Sequence, residues 1–361
     1  MSEIMRASRE WASRPDDQRF TSLESLRHAV STRKRESWTA TPRTGELRVI
    51  PEGEDLRVRV YDPTKGEERM LTPTNHSFSQ LCQYGGSPAS YLRRLPAQLA
   101  AINLQWGLEH LAARDDTLVL GQSNGTDSLR AMTSTSYGRI WDIEVVDAVM
   151  KANQDGRWTI PAASYTTQNP KRATTLYASD RDVFLFLVDP KNPIDVNGEQ
   201  LFRGFYTWNS EVGAATFGLT TFLYRYVCDN RIIWGATDVK ELRIRHTGGA
   251  PERFAYEGSK YLAKYAEERT DATVKQITAA QNAAIPVNPG AGKGVEDWLM
   301  SRGFTKAQAT ASVETAKQEE GEARTLWQIV NGITAYARGI AHTDERVTLE
   351  TKAGKLLDLA V

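Results

Sequence analysis

Residues 56–60, Leu-Arg-Val-Arg-Val, alternate strictly between apolar and charged side chains. That is the period of a strand buried on one face, with Arg57 and Arg59 turned outward. Residues 47–50 supply a second strand, and Pro51-Glu-Gly-Glu and Asp62-Pro-Thr-Lys-Gly are turn clusters around the pair. Upstream, Leu23, Leu26, Ala29 and Val30 share one face of a short helix that Ser22 or Thr21 can cap. The run Arg33-Lys34-Arg35 suits the negative end of that helix. Helical spacing dominates 77–113, with Pro88 and Pro96 at first-turn positions. Residues 117–122 and 128–133 fold back on each other across Asn124-Gly125, a strong hairpin signal, and a helix follows over 141–152.

The middle of the chain is strand-rich, with strands expected at 174–178, 183–188, 201–209, 215–228, 231–234 and 241–246. No helix-length segment separates them, so the sheet is read as antiparallel. From Pro251 the period becomes helical, over 254–285, 295–302, 305–320, 324–340 and 344–359. Leu326, Trp327, Ile329, Val330, Ile333, Tyr336, Ala337 and Ile340 form a packing stripe there. The expected class is α+β. Residues 1–45 are a polar segment with one short helix. Residues 46–250 are an α+β core with a mixed α/β first part and a central antiparallel sheet, and 251–361 form a helical C-terminal region.

Composition narrows the function classes. The 361 residues carry 45 Lys+Arg against 45 Asp+Glu, so the net charge is zero and any nucleic-acid site must be a local groove. With 40% apolar and 25% charged residues the chain is globular. Its mean hydropathy is −0.48 and its longest apolar run, 183–188, has the length of a strand, so no membrane-spanning helix is expected. The first 30 residues lack an apolar signal core, and Cys82 and Cys228 are too few for a disulfide framework. Both point to a cytoplasmic protein.

Chemical motifs are read mostly by elimination. Asn288-Pro-Gly-Ala-Gly-Lys-Gly lacks the first glycine and the hydroxyl residue of a phosphate-binding loop, so no nucleotide or other cofactor is implied. His28, His76, His110, His246 and His342 show no metal-ligand spacing. His76 and Cys82 pair as nucleophile and base only if the fold joins them; otherwise they are a capping histidine and a core thiol. Asp180-Arg-Asp182 and Asp238-Val-Lys240 could hold magnesium, but Asp189-Pro-Lys191 matches the same pattern by chance and turn carboxylates are the preferred reading. Metal ligands, if any, are not identified by pattern.

Residues 201–230 are the most unusual stretch. Phe202, Tyr206 and Trp208 share one face of a strand, with Arg203 on the other, and Tyr224 and Tyr226 flank Arg225 on the next strand. Such a face can stack unpaired bases, while Arg57, Arg59, Arg243 and Arg245 can track phosphate. The alternative is an aromatic core, since Tyr and Trp are common cross-strand partners.

At Trp208-Asn-Ser-Glu-Val-Gly213 and Arg225-Tyr-Val-Cys228-Asp-Asn230 the chain resembles the phage/plasmid-like protein family, a domain of unknown function. Thr325-Leu-Trp327 with Asn331 and Thr334, and residues 12–20, extend the resemblance from about 12 to 355. It implies a home on phages, prophages and plasmids in a bacterial cytoplasm, near genes for DNA maintenance, and no particular reaction. Asn209, Ser210, Glu211, Gly213, Cys228 and Asn230 are its motif residues. Glu211 could ligate a metal or a partner, or the segment could simply turn the chain.

The function expected from these features is binding of single-stranded nucleic acid in recombination, replication or repair. Arg57, Arg59, Arg203, Arg225, Arg243 and Arg245 would lie on phosphate, and Tyr206, Trp208, Tyr224 and Tyr226 on bases. A homo-oligomer accompanies that reading. Two alternatives stand beside it: a metal-dependent nuclease using Asp180, Asp182, Glu211 or Asp238, and a non-catalytic interaction protein that counteracts a host defence.

Overall fold

Strand alternation and hairpin turns sort the chain into two sheets in the computed structural model, which describes residues 15–112, 116–161, 174–227, 231–267, 271–287, 294–338, 349 and 352–360. Side chains over 222–241 lie outside that description. The first sheet has six strands in the order β2-β6-β7-β5-β4-β3: Ser37–Ala40 (β2), Arg48–Glu52 (β3), Asp55–Asp62 (β4), Glu67–Pro73 (β5), Thr117–Gln122 (β6) and Ser128–Ser134 (β7). Its pairings are antiparallel except β5 with β7. Val58, Val60 and Leu71 face inward as the alternation predicts. They pack with Leu81 and Cys82 of helix Asn75–Tyr84 (α2), Leu92 of Ala89–Leu92 (α3), and Leu104 and Leu108 of Ala97–His110 (α4).

The second sheet has seven strands: Arg19–Phe20 (β1), Leu176–Ala178 (β8), Val183–Val188 (β9), Glu199–Asn209 (β11), Phe217–Val227 (β12) and Arg231–Ile244 (β13) in line, with Ile194–Val196 (β10) beside β11. All its pairings are antiparallel. The strands expected over 174–246 thus all fall in this one antiparallel sheet, while those of the expected mixed first part form the other. The strands expected at 231–234 and 241–246 are one strand, and Asp238-Val-Lys240 lies within it instead of in a turn. Pairing with β12 carries the backbone through that polar stretch, with register irregularities near Leu223.

One face of this sheet is covered by Leu23–Glu36 (α1), Asp142–Ala152 (α5) and Ala250–Glu267 (α6), through Leu26, Val30, Val146, Val149, Phe254 and Leu262. Ser22 caps α1 by accepting the Ser25 N–H at 3.1 Å. The C-terminal helices Asp271–Asn282 (α7), Val295–Ser301 (α8), Lys306–Glu320 (α9) and Leu326–Arg338 (α10) close a third core with Ile194, Val196 and Leu201. Leu326, Trp327, Ile329, Val330, Ile333 and Ala337 of the predicted stripe are buried there, Tyr336 is half-buried and Ile340 lies outside the described residues; Trp327 Nε1 donates to Glu199 at 2.7 Å. The class is α+β, with a helical C-terminal region.

Candidate functional site

The link between β11 and β12 is where the chain spends its polar chemistry. Gly213 takes φ +88°, a left-handed conformation that suits glycine. Ser210 Oγ accepts from the Ala214 N–H at 2.9 Å and donates to the Arg181 carbonyl at 2.6 Å. These two residues make the turn as expected. Asn209 does not bond its own backbone. Its Nδ2 donates to the Ile140 carbonyl and to Asp142 Oδ1, both at 2.8 Å, and so ties the link to the start of α5.

Glu211 enters the gap between the two sheets. One carboxylate oxygen lies 2.6 Å from Arg130 Nη2 of β7, with side chains only 3% and 2% exposed. The other accepts the backbone N–H of Asp142 at 3.0 Å. That N–H opens α5, where Trp141 supplies no capping side chain, so Glu211 caps the helix from a distance and meets its positive end. The Arg139 guanidinium donates to the Glu211 carbonyl, and Arg33 of α1 lies 3.7 Å from Asp142. Burial pushes Glu211 up, but Arg130 and Arg33 outweigh it and hold the carboxyl below its ordinary range. Asp142 goes the other way: burial, then the Glu211 charge, raises it well above the ordinary value. The two neighbouring carboxyls are thus driven in opposite directions, Glu211 towards its charged form by the guanidiniums and Asp142 towards its neutral form by burial.

Glu211 is therefore paired with Arg130 and a helix end, and no other carboxylate, histidine or cysteine joins it in a group of three among the described residues. Tyr137 donates to the Ser210 carbonyl at 2.8 Å and stacks on His246. Gln80 Nε2 donates to the Val212 carbonyl at 2.9 Å, and His76 Nε2 lies 3.2 Å from the same oxygen. Burial lowers both histidines. Beside the link a cleft of about 600 Å³ opens between Gln80, Met132, Tyr137 and Gly213.

The residues expected to bind nucleic acid are scattered. Tyr206 and Trp208 are 1% and 5% exposed, and belong to a buried row of rings with Phe184 and Tyr177. They are core, so neither can stack on a base. Arg203 is buried as well. Arg57 and Arg59 project outward from β4 as predicted, but Arg57 donates to Glu52 at 2.7 Å and Arg59 lies 3.5 Å from Glu68. Arg243, on β13 of the other sheet, and Arg245, just past the end of that strand, are exposed. The side chains of Tyr224, Arg225 and Tyr226, and residues Cys228 and Asn230, lie outside the described residues.

The nuclease carboxylates have different surroundings. Asp180 is exposed, Asp182 is buried and accepts from Ser179 Oγ at 2.6 Å, and the Asp238 side chain lies outside the description. Among the described residues no three His, Cys, Asp or Glu side chains converge. Cys82 is in the core, where burial pushes its thiol up to about 11, while His76 points at the link.

One surface escaped the sequence reading. Of the large apolar side chains exposed among the described residues, Leu99, Ile102 and Trp106 (50%, 64% and 56%) share the outward face of α4, opposite Ala100, Leu104 and Leu108. The signal was present: this helix is apolar on both faces, whereas a surface helix ordinarily has a polar one.

Two antiparallel-dominated sheets, clamped by a buried carboxylate from the second and a guanidinium from the first, define an α+β protein with its polar chemistry turned inward. The chain belongs to the family described as a domain of unknown function (DUF932), whose model matches residues 168–355, just over half its length. No curated protein and no solved structure matches it. The matched segment contains Trp208–Gly213, whereas Arg33, Arg130, Arg139 and Asp142, which receive that loop, precede it.

Proposed function

We propose that the protein is an interaction factor that binds a protein partner through the outward face of α4. The observation that carries this reading is the exposure of Leu99, Ile102 and Trp106 on one helix face. An apolar stripe in water is unfavourable by about 25 cal/mol per Å², and a helix needing no contact there would carry polar residues. The Tyr206–Trp208 face is buried, which removes the main support for base stacking. The test is in-cell photo-cross-linking with benzoylphenylalanine at position 106, against the same group at Tyr61, which is also 56% exposed but lies on β4. Protein adducts at 106 and not at 61 are expected. No adduct at 106, or equal adducts at both, overturns the reading.

A second reading, binding of single-stranded nucleic acid, is supported by one observation: Arg243 near the end of β13 and Arg245 just past it are both exposed. The phage- or plasmid-borne setting implied by the motif resemblance belongs to this reading. Anisotropy of labelled single-stranded DNA at about 50 and 200 mM salt tests it. Binding that weakens steeply with salt supports it, and no binding at the lower salt removes it.

A further inference from the structure

We propose that the outward stripe of α4 is the contact between two copies of this chain, packed antiparallel about a two-fold axis beside Ile102 and Asn103. The proposal rests on the protein-binding reading above and names its partner. Leu99, Ile102 and Trp106, with His110 stacked on Trp106 at 4.7 Å, recur at three- and four-residue spacing, the pattern of a helix seam. A two-fold contact needs only one patch, provided the patch complements itself. An axis beside residues 102 and 103 sets Leu99 against the partner's Trp106 at both ends. It sets Ile102 against the partner's Ile102 and Asn103 at the centre. Each large ring then meets an aliphatic side chain instead of its own copy. Asn103, exposed mid-seam, is the kind of polar residue that fixes register where apolar neighbours alone would permit sliding.

Charge selects the direction. Arg93 and Arg94 stand exposed just ahead of α4, and Glu109 is exposed in its last turn. Antiparallel packing brings Arg94 to the partner's Glu109 twice over and sets each positive helix end beside a negative one. Parallel packing would place arginines against arginines. Glu109 also lies 3.5 Å from Arg48, an exposed pair that leaves its carboxylate accessible. The stripe offers roughly 350 Å² of apolar surface per copy, a little under half the ~800 Å² per partner of a standard interface. The helix rim can supply the remainder.

Sedimentation equilibrium of the full chain over about 1 to 100 μM tests the proposal, since oligomers dissociate on dilution. A concentration-dependent rise from 40.3 kDa towards twice that mass is expected. Ile102→Asp should remain monomeric throughout; because Ile102 is 64% exposed, its fold should be unchanged by circular dichroism. Arg94→Glu should weaken the dimer about tenfold and Arg94→Glu with Glu109→Arg should restore it, which only antiparallel packing allows. Ile102→Cys should oxidise to a linked dimer, and Leu99→Cys should not. A monomer at about 100 μM, or a dimer untouched by Ile102→Asp, overturns the inference. Adducts of position 106 with other proteins would then leave the broader protein-binding reading standing, whereas absence of any adduct removes both.

Discussion

Arg130 and Glu211 meet at 2.6 Å, almost wholly out of water, and join the first sheet to the link between two strands of the second. A charge pair in such a place is held by its partner more than by its own merit. Desolvation costs each ion several kcal/mol, and mutual attraction with good hydrogen bonds offsets it. Removing one partner strands the other.

Glu211→Gln is expected to lower stability by about 3–5 kcal/mol in denaturant unfolding, because Arg130 is left buried without a counter-charge. Arg130→Met should cost a similar amount. The double variant should lose at least about 1 kcal/mol less than the sum of the two. Additive losses would mean that the two side chains do not depend on each other.

Asp142 gives the protein a pH dependence of unusual sign. Its folded value is raised above the ordinary 3.8, so its contribution is fully present below that value and is lost as pH rises through the folded one. Asp142→Asn keeps an acceptor for Asn209 and removes the titration. The variant should gain stability relative to the wild type between about pH 4 and pH 8, measured by urea unfolding across that range. Parallel curves would show that Asp142 is not held protonated.

At the acid end Glu211 and the buried histidines act together. Glu211 is held below 4.5, and His76 and His246 below 6.5, so each contributes stability above those values that is lost as pH falls through the folded ones. Stability should begin to fall below about pH 6.5 and fall faster below about pH 4.5. His246→Phe, which preserves a ring on Tyr137, should soften the first part of that decline.

Gly218 lies directly across from Trp208, and a Cβ there would sit 1.8 Å from the indole. Gly218→Ala should therefore destabilise by about 1–3 kcal/mol or more. Trp208→Phe removes the part of the ring that clashes, so the double variant should recover part of the loss in thermal melts. The same contact explains the glycine near the start of β12.

For single-stranded DNA, replacing Arg243 and Arg245 by Ser should reduce the salt slope of log K by about 1.4 if both lie on phosphate, at ~0.7 per contact. An unchanged slope would place any DNA contact elsewhere.

What the sequence made legible is what neighbours along the chain decide. Ser22 capping α1, the hairpin at Asn124-Gly125, the outward Arg57 and Arg59, and the buried stripe of α10 all follow from short-range pattern. β5 and β10 were missed because Glu67-Glu-Arg-Met and Ile194-Asp-Val look polar alone; β4 and β11 supply their pairing. The roles of Tyr206 and Trp208 were undecidable by alternation, since every residue of β9 beside them is buried and that sheet is covered on both faces. Arg130 could not be matched to Glu211, because the fold alone joins two residues so far apart in the chain. The α4 stripe was hidden by its own buried face, which satisfied the helical pattern first.

The seating of Glu211 also sets what can be traded between genes. A recombination event that spliced residues 168–355 onto an unrelated first half would carry the carboxylate across the junction and leave Arg130 behind. The recipient would inherit a buried charge with nothing to answer it. The smallest heritable piece that keeps its own counter-ion is therefore larger than the matched segment and reaches back at least to β7.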